Sequence, residues 1–127
     1  MKKVLATVSM LTLLAVVGCG GDDDDKNSST STPLAACKSL VAENCSKYFG
    51  CYSDAELDAA SAVVGNNEAD CRTKLEQQTC SEQMLKCDSG ETYSSSKAAE
   101  CLEQLEALSC SEFENGAEPA ACETVCT

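Results

Sequence analysis

Cysteine is the residue type of this chain whose chemistry is easiest to interpret from spacing. The sequence has 11 cysteines and no histidine. Thiols can pair as disulfides, carry lipids or ligate metals, and zinc ligation usually needs a close Cys-x-x-Cys or Cys-x-Cys pair that this chain lacks. Without histidine there is no Ser-His or Cys-His pair for nucleophilic catalysis. We therefore predict no metal, no cofactor and no catalytic residue.

Ten of the cysteines lie in the C-terminal three quarters of the chain. They are Cys37, Cys45, Cys51, Cys71, Cys80, Cys87, Cys101, Cys110, Cys122 and Cys126. An even number in an exported chain predicts disulfides, each contributing about 2–4 kcal/mol of stability. The apolar core is thin, because large aliphatic residues are few and the chain has only two phenylalanines and no tryptophan. Roughly nine hundred pairings of ten cysteines are possible, so the connectivity stays open.

The eleventh cysteine, Cys19, ends an apolar run. Met1-Lys2-Lys3 is positively charged, and Val4 to Val17 is shorter than the roughly 20 residues that span a bilayer, which is typical of an export signal. The run ends in Val16-Val17-Gly18-Cys19, which resembles the lipobox of bacterial lipoproteins. That resemblance implies a signal peptide over residues 1–18 and lipid attachment at Cys19. The alternatives are an ordinary signal peptide or a buried helix with a chance cysteine.

Residues 19–32 form a predicted tether between the lipid and the folded domain. The segment after Cys19 has no large apolar residue, so it cannot bury enough surface to offset the entropy of ordering. Its four aspartates, Asp22, Asp23, Asp24 and Asp25, resemble the surface-export signals of some bacterial lipoproteins; the alternative is a solvated spacer. In lipoproteins an aspartate directly after the lipidated cysteine favours inner-membrane retention. Gly20 stands there, so the resemblance implies the outer membrane.

The charge of the chain limits its partners. Loss of Lys2 and Lys3 with the signal takes the formal net charge from −12 to −14. Nucleic-acid affinity comes mainly from Lys and Arg contacts to phosphates, so we predict no nucleic-acid partner. The expected contacts are a membrane, through the lipid anchor, and an unidentified protein; the oligomeric state stays open.

Residues 33–127 are predicted to form one cysteine-rich, all-α domain, a small disulfide-stapled bundle of short helices. Helix-start and helix-stop signals define its elements. The predicted helices run from Pro33, after Thr32, to about Gly50; from the Ser53–Glu56 capping box to Gly65; from Asn67 to Thr79; from Ser96 to about Leu108; through a short turn capped by Ser111–Glu114; and from Pro119 to Cys126. Strand signals are nearly absent, and Thr92-Tyr93 is predicted to lie in a loop.

The chain contains a weak internal repeat. Residues 69–82 match residues 99–112 at seven of fourteen positions, cysteines included. Each copy has two cysteines nine residues apart, which a helix turns through about 900° and separates by about 13 Å. Disulfide Cα atoms lie closer than about 7 Å, so neither pair can close on itself and each helix should bond two different neighbours. Cys122 and Cys126, four residues apart, should share one helical face.

The order of these motifs resembles small cysteine-rich lipoproteins predicted in myxobacteria and related bacteria. The motifs are Cys-x7-Cys-x5-Cys-Tyr-Ser, Ala-Asp-Cys-x8-Cys, Ala-Glu-Cys-Leu-x2-Leu-x4-Cys and Pro-Ala-Ala-Cys. The resemblance implies no activity. Acidic residues are abundant, but nothing singles out two of them as a catalytic pair, so we predict that the chain is not an enzyme. We expect a lipid-anchored envelope module with a binding or structural role, the alternative being a surface-displayed effector, toxin or inhibitor domain.

Overall fold

Short helices make up the domain, as the sequence predicts. The computed structural model describes residues 30–82 and 85–127. Its helices are α1 (Pro33–Cys51), α2 (Asp54–Val64), α3 (Glu68–Thr79), α4 (Ser95–Ala107), α5 (Cys110–Glu114) and a C-terminal 3₁₀ helix (Ala120–Thr124). Within these ranges the β pairing consists of an isolated antiparallel bridge between Tyr93 and Cys126. The all-α, disulfide-stapled class is confirmed.

The first three helices begin at the predicted capping residues, and α2 and α3 also end where predicted, whereas α1 continues one residue past Gly50 to Cys51. Thr32 accepts a hydrogen bond from the backbone of Ala35 (3.2 Å) and Pro33 occupies the first turn of α1. The backbone N–H of Ser53 donates to the Glu56 carboxylate (3.0 Å) in the capping box of α2. At these positions a nearby side chain accepts the hydrogen bond of a free backbone N–H group, so the helix end needs no partner from elsewhere in the chain.

Gly65 ends α2 for two physical reasons. Its φ is +82°, a left-handed conformation that residues with a Cβ rarely adopt. A Cβ at this position would also lie 2.6 Å from the Cβ of Asp70, at the start of α3. The glycine therefore allows α2 and α3 to meet at a tight corner.

Two predicted helix starts are wrong by one or two residues. Helix α4 starts at Ser95, not Ser96, because Ser94 is its N-cap and is held extended by a backbone hydrogen bond to Val125 (2.8 Å). The turn assigned to Ser111 starts instead at Ser109, whose hydroxyl donates to the Glu112 carboxylate (2.6 Å). Ser109 and Ser111 each have a glutamate three residues later, so either serine could form the capping box that starts α5. The one observed places Cys110 and Phe113 three residues apart on one face of α5, towards α1.

The last predicted helix is wrong in type and in its end. The segment after Pro119 is a 3₁₀ helix that ends at Thr124, and Cys126 lies beyond it in the bridge to Tyr93. Cys122 and Cys126 therefore do not lie on one α-helical face. The backbone hydrogen bonds that Thr127 exchanges with Thr92 (2.8 and 3.2 Å) hold this end in an extended conformation.

Five disulfides pair the ten cysteines. They join Cys37 to Cys80, Cys45 to Cys71, Cys51 to Cys110, Cys87 to Cys126 and Cys101 to Cys122. The prediction that neither repeated pair closes on itself is confirmed. The prediction that each repeated helix bonds two neighbours is wrong for the second copy, because its two cysteines lie on different helices: Cys101 on α4 bonds the 3₁₀ helix and Cys110 on α5 bonds α1.

For the first copy that prediction is also wrong, since Cys71 and Cys80 both bond α1. Cys80 is the C-cap of α3, with φ −98° and ψ 40°, so the helical angle count does not extend to it. On α1, Cys37 and Cys45 are eight residues apart, which a helix turns through about 800° and so leaves only about 80° between them. One face of α1 can therefore receive both bonds.

The core lies around α1. The fully buried side chains of largest volume are Phe113, Leu75, Leu85, Val41, Val64 and Val125, together with the half-cystines Cys37, Cys45, Cys71 and Cys101. Two large aliphatic side chains, Leu34 and Val63, are instead exposed. Disulfide sulfurs thus make up a large part of the interior, which is consistent with the thin aliphatic core seen in the sequence.

Candidate functional site

Helix α1 gives the domain two distinct ends. Its 19 residues rise by about 28 Å. The chain enters the described domain at Thr30 and Thr32, beside the first turn of α1. Cys51 and Tyr52 lie at the other end, where α1 meets α5. Tyr93 lies at the first end and a cluster of three aromatic rings at the second.

The entry end is fixed by Tyr93. Its hydroxyl donates to the carbonyl oxygens of Thr30 (2.7 Å) and Thr32 (3.4 Å). Burial raises the pKa of Tyr93 to about 12. Thr30 itself is only 4% exposed, so two residues that the sequence assigned to the tether are in contact with the helical domain.

The C-terminus lies at the same end. The backbone of residues 92–94 pairs with residues 125–127, and Cys126 is bonded to Cys87. Tyr93 therefore connects the entry of the chain to its last described residues.

An aromatic cluster occupies the far end. It consists of Tyr48, Tyr52 and Phe113. The rings of Tyr48 and Tyr52 stack with centroids 5.1 Å apart, and Phe113 meets Tyr48 edge-on at 5.5 Å. The i,i+4 spacing of Tyr48, on α1, and Tyr52, its C-cap, was visible in the sequence, but their contact with α5 was not.

Tyr52 carries an unsatisfied hydroxyl. Its oxygen is buried and has no hydrogen-bond partner among the residues that the structure describes. Burial, with smaller contributions from Tyr48, Glu114 and Glu56, raises the pKa of Tyr52 to about 12. The folded state favours the neutral phenols of Tyr52 and Tyr93. Their contribution to the free energy of unfolding is therefore complete below pH 10 and is lost as the pH rises from about 10 to about 12.

A matched pair of tyrosine substitutions tests these two environments. We expect Tyr52→Phe to raise the free energy of unfolding by about 1 kcal/mol, because it removes a buried polar group that lacks a partner. Tyr93→Phe should lower it by about 1 kcal/mol, because it leaves the Thr30 carbonyl without its donor. Urea unfolding of both variants under non-reducing conditions measures the two changes. Equal destabilisation by both would contradict the assignment.

Carboxylates surround the aromatic cluster. Burial is the main cause of the raised pKa of Tyr52, and the negative charges of Glu114 and Glu56 add to it. Hydrogen bonds from the Ser109 side chain and backbone lower the pKa of the exposed Glu112. This shift is opposite to that of a carboxyl that acts as a general acid near neutral pH. The far end is therefore an apolar cluster with an anionic rim.

Lys47 joins α1 to the second half of the chain. Its ammonium group donates to the carbonyl oxygens of Glu106 and Leu108, each at 2.7 Å. These carbonyls lie at the end of α4, where a cation is favourable. Sequence reasoning missed this role, since nothing in the local pattern relates residues about sixty positions apart.

The predicted site residues divide into two groups. Cys19 and the four aspartates Asp22–Asp25 lie outside the described residues. The ten domain cysteines are all paired, and Cys110 is exposed whereas four others are 0–1% exposed. Within residues 30–82 and 85–127, no group of three or more His, Cys, Asp or Glu residues could hold a metal ion.

Comparison with known proteins finds no relative of this chain: no protein-family model, curated protein or solved structure matches it. Among the helices described, none is long and apolar enough to cross a membrane. The chemistry of the residues themselves is therefore the basis for any functional conclusion.

Proposed function

We propose that this chain is a lipid-anchored, disulfide-stabilised module of the bacterial cell envelope with a binding or structural role. One observation carries the proposal. The five disulfides use ten of the 11 cysteines, and the one outside them is Cys19, at the end of the apolar run. Complete pairing suits an oxidising compartment outside the cytoplasm. A single cysteine left over, at the end of a lipobox-like sequence, suits lipid attachment.

The two ends of the domain support this arrangement. Tyr93 holds the chain entry in place, so a lipid at Cys19 would define which end of the domain lies nearest the membrane. The segment between Cys19 and Thr30 spans at most about 40 Å. The aromatic cluster, about 28 Å along α1 from the entry, would then point away from the membrane. We assign the binding role to this outer end.

The proposal includes no catalytic step. The chain has no histidine, and the shift of Glu112 is towards a stronger acid that stays ionised. A stapled helical scaffold instead presents a defined surface, which suits docking of a partner. Gly20 after the proposed lipidated cysteine favours the outer membrane over the inner one.

Cys19→Ser tests the anchor. The wild-type chain, expressed in a bacterial host that processes lipoproteins, should partition into detergent and should have the mass of residues 19–127 plus lipid. The Cys19→Ser variant should keep its signal peptide and carry no lipid, because lipid attachment and the signal removal that follows it both need the Cys19 thiol. Ser28→Ala, in the same segment, is the matched control and should behave as wild type. A wild-type protein cut before Cys19 but without lipid mass would contradict the anchor and would favour a released effector or inhibitor.

The four aspartates, Asp22–Asp25, test surface display. If they direct export, their replacement by asparagine should leave the protein in the membrane fraction but protect it from protease added to intact cells. Replacement of Asn27, Ser28 and Ser29 by glycine keeps the length and the charge, and serves as the control. Unchanged protease access after the aspartate change would leave these residues as a solvated spacer.

A further inference from the structure

Two of the five disulfides lie within each half of the chain, and the fifth joins the halves. Within residues 30–82, two nested bonds join α1 to α3. Within residues 85–127, two nested bonds join α4 and the preceding loop to the C-terminal segment. Only the bond between Cys51 and Cys110 connects one half to the other. It is therefore the one covalent bridge whose loss leaves both nested frameworks intact.

This bridge is also the most accessible of the five. Cys110 is exposed and Cys51 is partly exposed. In each of the other four bonds at least one half-cystine is 9% exposed or less, and for three of these bonds the value is 0–1%. Thiol–disulfide exchange requires an external thiolate to reach a sulfur in line with the bond that breaks, so exposure controls which bond reacts.

Reduction of this bond has a local structural consequence. Cys110 and Phe113 lie on the same face of the five-residue helix α5, and Phe113 is buried against Tyr48. The contacts of Lys47 with the end of α4 do not involve this bond. Loss of the bond removes the covalent link between α5 and α1, so the cover that α5 gives the aromatic cluster then depends on the packing of Phe113 alone.

We propose that the Cys51–Cys110 disulfide is a thiol-exchange site that controls access to the aromatic cluster. An external thiolate attacks the sulfur of Cys110, a mixed disulfide forms there, and the electron pair of the broken bond leaves on Cys51 as a thiolate. A second external thiolate then attacks the external sulfur and releases Cys110. In total, two external thiols are oxidised to a disulfide and one protein disulfide is reduced to two thiols.

The charge around the site selects the class of thiol. Glu112 and Glu114 follow Cys110 on α5, and Glu56 approaches the neighbouring Tyr52. An anionic rim repels anionic thiols and attracts cationic ones, and the difference falls with ionic strength. The exchange partner is thus a thiol carried on a cationic or neutral group.

Mapping of the first bond to be reduced tests the proposal. The full-length protein is treated with limiting cysteamine, free thiols are alkylated at intervals, and the labelled positions are identified by peptide mass spectrometry. Cys51 and Cys110 should be labelled about tenfold faster or more than the other eight half-cystines, because Cys110 is the one exposed half-cystine of the ten. Earlier labelling at Cys87 and Cys126, or labelling of all ten at one rate, would overturn the proposal.

Two comparisons complete the experiment. Removal of the bond by Cys51→Ser with Cys110→Ser should abolish the fast phase and weaken the near-ultraviolet aromatic signal. Cys101→Ser with Cys122→Ser, the matched control, should retain the fast phase. At equal thiolate concentration and low salt, 2-mercaptoethanesulfonate should react more slowly than cysteamine, and high salt should remove the difference. Equal rates at low salt would refute the charge selection, and a fast phase that survives removal of the bond would refute the site.

Discussion

Complete reduction of the five disulfides is expected to unfold the domain. The bonds close loops of 21 to 59 residues, for which loop-closure entropy gives about 3–4 kcal/mol each. Nested bonds share part of this entropy, so the total is smaller than the simple sum. Even about half of that sum is comparable to the 5–15 kcal/mol by which typical domains are stable.

The helices cannot compensate for this loss. The longest, α1, has 19 residues and the other α-helices have 13 or fewer, and isolated helices shorter than about 15 residues are marginal in water. Helix α2 is the least secured, since Val64 is its one buried side chain and no disulfide joins it to the rest of the domain. Excess reductant should therefore remove most of the helical circular dichroism at room temperature.

A thiol titration provides the control for this experiment. In a variant with Cys19→Ser, ten thiols should become titratable as the helical signal falls, and none should react in the native protein. A helical spectrum that persists after all ten thiols are free would show that packing alone holds the fold, and that the core is stronger than its composition indicates.

Phe113→Ala is expected to be the most damaging single substitution of an apolar residue. The side chain is 1% exposed, is the largest of the fully buried ones, and contacts both tyrosines of the aromatic cluster. Truncation of a buried phenylalanine costs about 3–5 kcal/mol, from lost burial and from the cavity that remains. Urea unfolding under non-reducing conditions measures the loss.

Phe49 provides a matched control, because it is the other phenylalanine of the chain and is only partly buried. The same change there should cost less than half as much. If both substitutions cost the same, the aromatic cluster would not be a special point of contact between α1 and α5. Retention of the five disulfides in both variants, shown by the absence of free thiols, ensures that packing alone is compared.

Local signals in the sequence predicted most of the helices. Thr32 with Pro33, Ser53 with Glu56, and Gly65 each act on backbone groups within a few residues, so their effect does not depend on the remainder of the chain. The starts of α4 and α5 were less well predicted because several serines compete. Tertiary contacts decide between them: the pairing of Ser94 with Val125, and the packing of Phe113 on α1.

For the cysteines, too, local features could be predicted from the sequence and tertiary ones could not. Their even number after Cys19, the absence of close pairs and the thin aliphatic core were sufficient to predict a disulfide-stapled domain. Helical geometry also excluded a bond between Cys71 and Cys80. The partners could not be derived, because they depend on which helices pack together and on the non-helical backbone of Cys80, and neither property is local.

The candidate site was the least accessible to sequence reasoning. By itself the sequence determined most of the helical elements and the pairing of the ten domain cysteines as disulfides, because these follow from local backbone preferences and from cysteine number. Only the tertiary structure decided that Tyr93 holds the entry of the chain, that Tyr52 and Phe113 meet at the far end, and that Cys110 is exposed. These features depend on contacts between residues about sixty positions apart, and such contacts are set by the packing of the whole domain around α1.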